Sequence, residues 1–255
     1  MKKKLQSITN NIYPILTILA LLVAWELAVR IELVPSFMLP SPTSVIAAFI
    51  KDFPNLMEHS KVTLSEAFLG LFFGVLLGFV AAVLMDSFEL IKRAIYPLII
   101  LTQTIPTVAI APLLVLWLGY GMLPKVVLIV LTTFFPVAIS LLDGFSSVDR
   151  DYITLLESMG ANKFQIFKYL KFPGSLTQFF SALKIAVSYS IVGAVISEWL
   201  GGFNGLGVYM TRVKKSYAFD RMFAVIFLIS AISLILMSLV SVLKKKVIKW
   251  ENIDE

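Results

Sequence analysis

The sequence predicts an all-α, polytopic membrane protein with six transmembrane helices, and three observations carry that prediction. Of its 255 residues, 58% are apolar and 15% charged, against roughly 45–50% and about 25% in water-soluble domains. The apolar residues gather into six runs, at about 12–29, 62–85, 94–118, 123–142, 179–200 and 222–243, each close to the ~20 residues a helix needs to cross a bilayer. The net charge of +6 collects at the ends of those runs, as it does where basic flanks orient spans toward the cytoplasm. No basic stripe interleaved with aromatics occurs, so the charge does not point to a nucleic acid.

The first run follows Lys2, Lys3 and Lys4. A cleaved export signal has the same basic start, but its apolar core is about 7–15 residues long and ends at a small-x-small site. This run is longer and leads into Arg30-Ile31-Glu32-Leu33, so it reads as an uncleaved span with a cytoplasmic N-terminus. The second span carries Gly70, Gly74 and Gly78 on one helix face. Helices in lipid associate largely by close backbone approach at small residues, so this face reads as a packing surface, within the chain or between two copies.

The third span, 94–118, holds Pro97, Pro106 and Pro112 together with Thr102, Gln103, Thr104 and Thr107. Each proline frees a carbonyl that in a membrane has to meet protein or cavity water. The span is therefore either a pathway-lining helix, with Thr104 and Pro106 as candidates, or a merely kinked one. Gly119-Tyr120-Gly121 turns it into the fourth span as a helical hairpin. The fifth span ends at Glu198 and the flexible Gly201-Gly202-Phe203-Asn204-Gly205-Leu206-Gly207, and Lys244, Lys245, Lys246 and Lys249 close the sixth.

Six spans put both termini on one side. With that side cytoplasmic, 13 of the 22 Lys and Arg lie in cytoplasmic segments and eight in outer ones, among them Arg212, Lys214, Lys215 and Arg221. The expectation is one transmembrane domain over 1–255, multi-pass in the cell membrane, with both ends in the cytoplasm.

The segment between the fourth and fifth spans, 143–178, is a long cytoplasmic loop. Ser146-Ser147-Val148-Asp149 offers a helix N-cap with an acid at the first turn. Tyr152, Leu155, Leu156 and Met159 then fall at i, i+3, i+4 and i+7, which gives one apolar face. Gly160 supplies a stop, Asn162 with Gln165 caps a second helix, and Pro173 ends it. The product is two short helices joined by a sharp bend, with an apolar face to dock on its own spans or on a soluble partner.

Groups for chemistry are scarce. There is no Cys, which removes disulfides, thiolate metal sites and cysteine nucleophiles. The one histidine, His59, stands in a hydrophilic stretch and reads as solvated or interfacial. No Gly-Lys dipeptide occurs, so there is no phosphate-cradling Walker A loop, and any ATP used has to be bound by another subunit. An ion-coupled carrier places ionisable residues in mid-membrane, but Glu26, Glu66 and Glu198 all lie near span ends. Glu26 and Glu66 read as interfacial; Glu198 is either a pathway or gate residue or a helix-end acid.

Resemblance adds what periodicity does not. Thr154-Leu155-Leu156-Glu157-Ser158-Met159-Gly160, nine residues, then Leu170-Lys171-Phe172-Pro173 resembles the cytoplasmic EAA loop of ABC importer permeases: E-A-A-x-x-x-G, nine residues, then I-x-L-P. Gly160 and Pro173 match in identity and spacing. Thr154 stands where the family has Glu, Leu155 and Leu156 stand for the alanines, and Glu157 offers a carboxylate one turn later. Leu39-Pro40-Ser41-Pro42, the Gly70–Gly78 repeat, Ile105-Pro106 through Trp117-Leu118-Gly119, and Glu198 through Gly205-Leu206-Gly207 are similar to the nitrate, sulfonate and taurine branch.

The resemblance implies a type I importer permease without catalysis or cofactor of its own. Thr154, Leu155, Leu156, Glu157, Gly160, Ala161 and Pro173 would couple it to ATPase subunits, which use ATP and Mg²⁺. It also implies an extracytoplasmic substrate-binding protein, a homodimer or a pair of similar permeases, and a small polar or heteroaromatic solute such as a sulfonate, nitrate, taurine or a vitamin precursor. The competing expectation is an ion-coupled secondary carrier.

Overall fold

A computed structural model describes residues 2–35 and 37–249, apart from the side chains of 2–11 and 15. Its helices are α1 (Lys2–Arg30), α2 (Pro42–Lys51), α3 (Phe53–Ser87), α4 (Glu89–Thr104), α5 (Thr107–Leu118), α6 (Met122–Ser146), α7 (Arg150–Ser158), α8 (Lys163–Ile166), a π-helical segment (Phe167–Lys171), α9 (Phe172–Gly174), α10 (Leu176–Gly201), α11 (Leu206–Lys215) and α12 (Phe219–Val247). Among the described residues α1, α3, α6, α10 and α12 are long and apolar enough to cross a membrane, and the bent pair α4 and α5 makes a sixth span. Helices satisfy their own backbone, which is why apolar runs of this length fold so in lipid.

The chain divides into two compact units, the first comprising residues up to Glu58 with Tyr209–Leu228. In it Trp25 of α1 lies 6.0 Å from the rings of both Phe223 and Phe227. Glu26 accepts hydrogen bonds from Arg30 Nε at 2.8 Å and Thr43 Oγ1 at 2.9 Å, which ties α1 to the first turn of α2. Ser41 caps α2 by accepting from the Ser44 amide, with Pro42 at a first-turn position where its missing N–H costs nothing. The Tyr209 hydroxyl donates to Asp52 Oδ2. Burial and the neighbouring Asp52 carboxylate push the Tyr209 phenol above its ordinary range.

The second unit comprises His59–Val208 and Ile229 onward, and it is built on α6 and α10. Ala67, Ile129, Ile191 and Ala194 form one buried cluster, with Ile229, Ile232 and Leu236 of α12 packed on it. Ala82, Val137, Leu141, Phe145 and Ala186 form a second. The glycine face of α3 packs inside the chain, against α6. A Cβ at Gly70 would overlap Ile129 Cβ, one at Gly74 would overlap Thr133 Oγ1, and one at Gly78 would lie 3.0 Å from the Phe134 carbonyl oxygen.

The structure corrects two expectations. The run 94–118 is not one helix: α4 and α5 meet at 101°. Ile105 and Pro106 are extended, with ψ of 120° and 124°, because the residue before a proline is driven out of the helical region. Nor does Pro173 end a helix. It sits in the first turn of α9, where no backbone donor is needed, just after a π turn in which the Phe172 amide reaches back to the Phe167 carbonyl.

Candidate functional site

The hairpin of α7 and α8 is held by its own side chains. Asp149, not a serine, is the N-cap of α7, and its Oδ1 accepts from the Asp151 amide at 2.9 Å; Ser147 instead closes α6. Gly160 adopts φ +82°, and the Gly160 and Ala161 amides donate back to the Glu157 and Leu156 carbonyls at 2.9 Å. A Cβ at Gly160 would meet nothing within 4 Å, so glycine is needed there for its backbone angle and not for space. Asn162 and Gln165 form a full capping box, at 2.9 and 2.8 Å.

The face predicted to dock is open. Tyr152, Leu155 and Met159 are 60%, 57% and 74% exposed, and Leu156 is half-buried. Glu157 is exposed, while the exposed Thr154 spends its hydroxyl on the Arg150 carbonyl of its own helix. Pro173 leads out of the π segment, whose Lys171 pairs with Asp86 at the end of α3.

At the bend between α4 and α5 a cavity of about 400 Å³ is lined by Thr102, Gln103, Pro106, Thr107, Thr132 and Tyr189 among apolar neighbours. Pro106 is on this wall. Thr104 is not, and its hydroxyl donates to the Leu101 carbonyl at 2.8 Å. Gln103 has no hydrogen-bond partner among the described residues, and α5 starts without a side-chain cap.

Glu198 lies in an enclosed polar cluster, 1% exposed. It accepts from Thr63 Oγ1 at 2.7 Å and from the Gly207 amide at 2.6 Å. Thr63 Oγ1 in turn accepts from the Leu206 amide, and His59 Nδ1 from the Gly205 amide at 3.0 Å. The segment after α10 is thus pinned to α3 by His59 and Thr63 and to α10 by Glu198. His59, expected to be solvated or interfacial, and Glu66, expected at the interface, are both buried, and Glu66 is paired with Lys125 at 2.6 Å. Thr63, Lys125 and Asp86 are not legible as site residues from sequence, since each acquires its role from a partner 59 or more positions away. The one hint is Lys125 itself, a cation just inside a span after a glycine turn.

The chain is similar to known proteins in sequence and in fold. Residues 74–249 match the family described as binding-protein-dependent transport system inner membrane component. The chain is 36% identical over 240 residues to formylaminopyrimidine transport permease protein ThiX of Halalkalibacterium halodurans, covering 94% of this chain and 96% of the relative. It is 29% identical to riboflavin transport system permease protein RibX of Chloroflexus aurantiacus and 28% to taurine transport system permease protein TauC of Escherichia coli, each covering 92% of this chain and 88% of the relative. A crystal structure of an amino acid ABC transporter with histidines shares the fold, with a TM-score of 0.63 at 20% identity over 80% of this chain and 97% of that one. Since the family match spans more than half the chain and a relative above 30% identity spans nearly all of it, the chain belongs to the inner-membrane permease components of binding-protein-dependent ABC transport systems.

Proposed function

We propose that this permease imports a small heteroaromatic solute of the vitamin-precursor class, with a sulfonate or other small polar solute as the second reading, and that ATP hydrolysis in a separate subunit drives it. The observation that carries the energy coupling is the exposed apolar face of α7, Tyr152, Leu155 and Met159, on a hairpin whose two caps and left-handed Gly160 hold it rigid. Apolar side chains presented on a polar, capped helix outside the spans are what a docking surface needs. Thr154, Leu155, Leu156, Glu157, Gly160, Ala161 and Pro173 form the coupling segment, on the cytoplasmic side together with both termini. ATP and Mg²⁺ belong to the docked subunit.

The solute path runs along the bend between α4 and α5. Polar groups without partners are costly in hydrocarbon, so Gln103 and the uncapped start of α5 face water or a second copy of the chain and not lipid. Two copies, related by a central path, close this groove. Closure of the ATPases pushes on the hairpins, tilts the spans and opens the path outward, where the binding protein delivers its solute; Arg212, Lys214, Lys215 and Arg221 serve that docking. The heteroaromatic class is supported by the formylaminopyrimidine and riboflavin permeases among the relatives. None of these relatives supports an ion-coupled carrier. Recovery of an ATPase with the purified chain tests the coupling, and a ligand screen on the partner binding protein tests the solute class.

A further inference from the structure

The hairpin is joined through the chain only to α6 and α10, yet the structure ties it to α3 as well. Lys171 Nζ donates to both carboxylate oxygens of Asp86, at 2.7 and 2.9 Å, and the two side chains are only 22% and 13% exposed. Asp86 stands at the very end of α3, and Lys171 is the last residue of the π segment. A π turn carries one residue more than an α turn and so shifts the register of the residues after it; it brings to α3 a lysine on the same segment that α6 and α3 grip through rings. Phe167 lies edge-on to Phe145 of α6 at 5.2 Å, and Phe172 edge-on to Phe79 of α3 at 6.0 Å. Beneath α7, a hollow of about 260 Å³ is lined by Ile153, Glu157, Lys163, Phe167, Lys171 and Asp86. This side of α7 is therefore not packed solid against the spans.

We propose that the Lys171–Asp86 pair is a positioning link that carries displacement of the hairpin into α3, and from there through the Gly70, Gly74 and Gly78 face into α6. The inference rests on the reading of the hairpin as an ATPase dock. Ring contacts such as Phe79 with Phe172 tolerate a range of separations and offsets. A charge-assisted pair of hydrogen bonds to one carboxylate fixes both distance and direction, and its partial burial protects it from screening. Without the pair the hairpin still pulls on α10, to which the chain itself joins it, but α3 is released.

The chain has no cysteine, so single reporters can be placed at will. Leu77→Cys on α3 and Ile185→Cys on α10 are at exposed positions. A nitroxide spin label is attached to each reporter in detergent, and its mobility is measured in the lipid-reconstituted complex with its ATPase, without nucleotide and with ATP and vanadate. In the otherwise unaltered chain both rotational correlation times are expected to change severalfold on trapping. Asp86→Asn is expected to abolish the response at Leu77→Cys and keep that at Ile185→Cys. Lys171→Arg keeps both, and the charge exchange Asp86→Lys with Lys171→Asp restores the lost one. A response at Leu77→Cys that survives Asp86→Asn overturns the link, and loss of both responses overturns it too, by making the pair a general brace of the hairpin. Failure of the unaltered chain to hold an ATPase overturns the docking reading itself, whereas a bound ATPase with Leu77→Cys silent from the start overturns the link alone.

Discussion

Lys125 Nζ lies 2.6 Å from Glu66 Oε1, and the two side chains are 5% and 3% exposed. The pair joins the first turn of α6 to α3. Removing one partner of a buried pair leaves the other charge uncompensated, which costs about 3–5 kcal/mol, while replacing both by apolar groups is often neutral. Glu66→Gln and Lys125→Met are each expected to destabilise the chain in detergent by about that much, read as a lower unfolding temperature, and Glu66→Leu with Lys125→Met to recover most of the loss. Single variants as stable as the parent chain would show that the pair holds nothing.

The α3–α6 contact makes a contrast between two glycines. A Cβ at Gly74 would overlap Thr133 Oγ1, but one at Gly193 would sit 3.4 Å from Ile129 Cγ1, an ordinary contact distance. Gly74→Ala is expected to cost about 1–3 kcal/mol as the helices are forced apart, and Gly193→Ala far less. Equal melting temperatures for the two variants would contradict the close approach.

Glu198 anchors the loop after α10 and is expected to act on its order before anything else. Glu198→Ala strands the Gly207 amide, at about 1–3 kcal/mol, and leaves the Thr63 hydroxyl only the His59 carbonyl, at 3.3 Å, to donate to. Hydrogen exchange at residues 205–208 should therefore accelerate. Gly205 gives an independent check: it adopts φ +120°, and a Cβ there would overlap the Glu198 carboxyl group, so Gly205→Ala should accelerate the same amides. If Glu198 acts instead on the solute, Glu198→Gln alters uptake while exchange in this loop stays unchanged.

Gln103 gives the groove its unpartnered polar group. Gln103→Leu is expected to reduce uptake by about tenfold, the effect of losing one net hydrogen bond of about 1 kcal/mol, with ATPase association intact. Uptake at the parental rate would remove Gln103 from the path.

How much of this is legible in the sequence depends on whether a feature is local. The six apolar runs, the capping box of Asn162 and Gln165, and the left-handed stop at Gly160 are set by neighbours within a turn or two, and the structure has them. The bend at Ile105 and Pro106 is partly legible, since three prolines crowd that run, but which of them breaks it is settled by packing. The place of Pro173 inside a helical turn escapes a sequence reading because a π turn leaves no mark in periodicity. The burial of His59 and Glu66 escapes it because hydropathy puts His59 in a polar stretch and Glu66 near a span end, whereas their partners are Gly205 and Lys125, 146 and 59 residues away. The packing partner of Gly70, Gly74 and Gly78 is equally invisible until α6 is in place.

On the proposed function, this permease takes its energy from an ATPase seated on the α7–α8 hairpin. Affinity purification of the tagged chain from its own membranes, with quantitation of the co-purified ATPase, tests it most directly. Stoichiometric recovery is expected with the parent chain, and loss of the ATPase from Gly160→Val, whose β-branched side chain disfavours the φ of +82°, and from Leu155→Asp, which charges the open face. Absence of an ATPase from the parent chain, or full recovery with both variants, would contradict it.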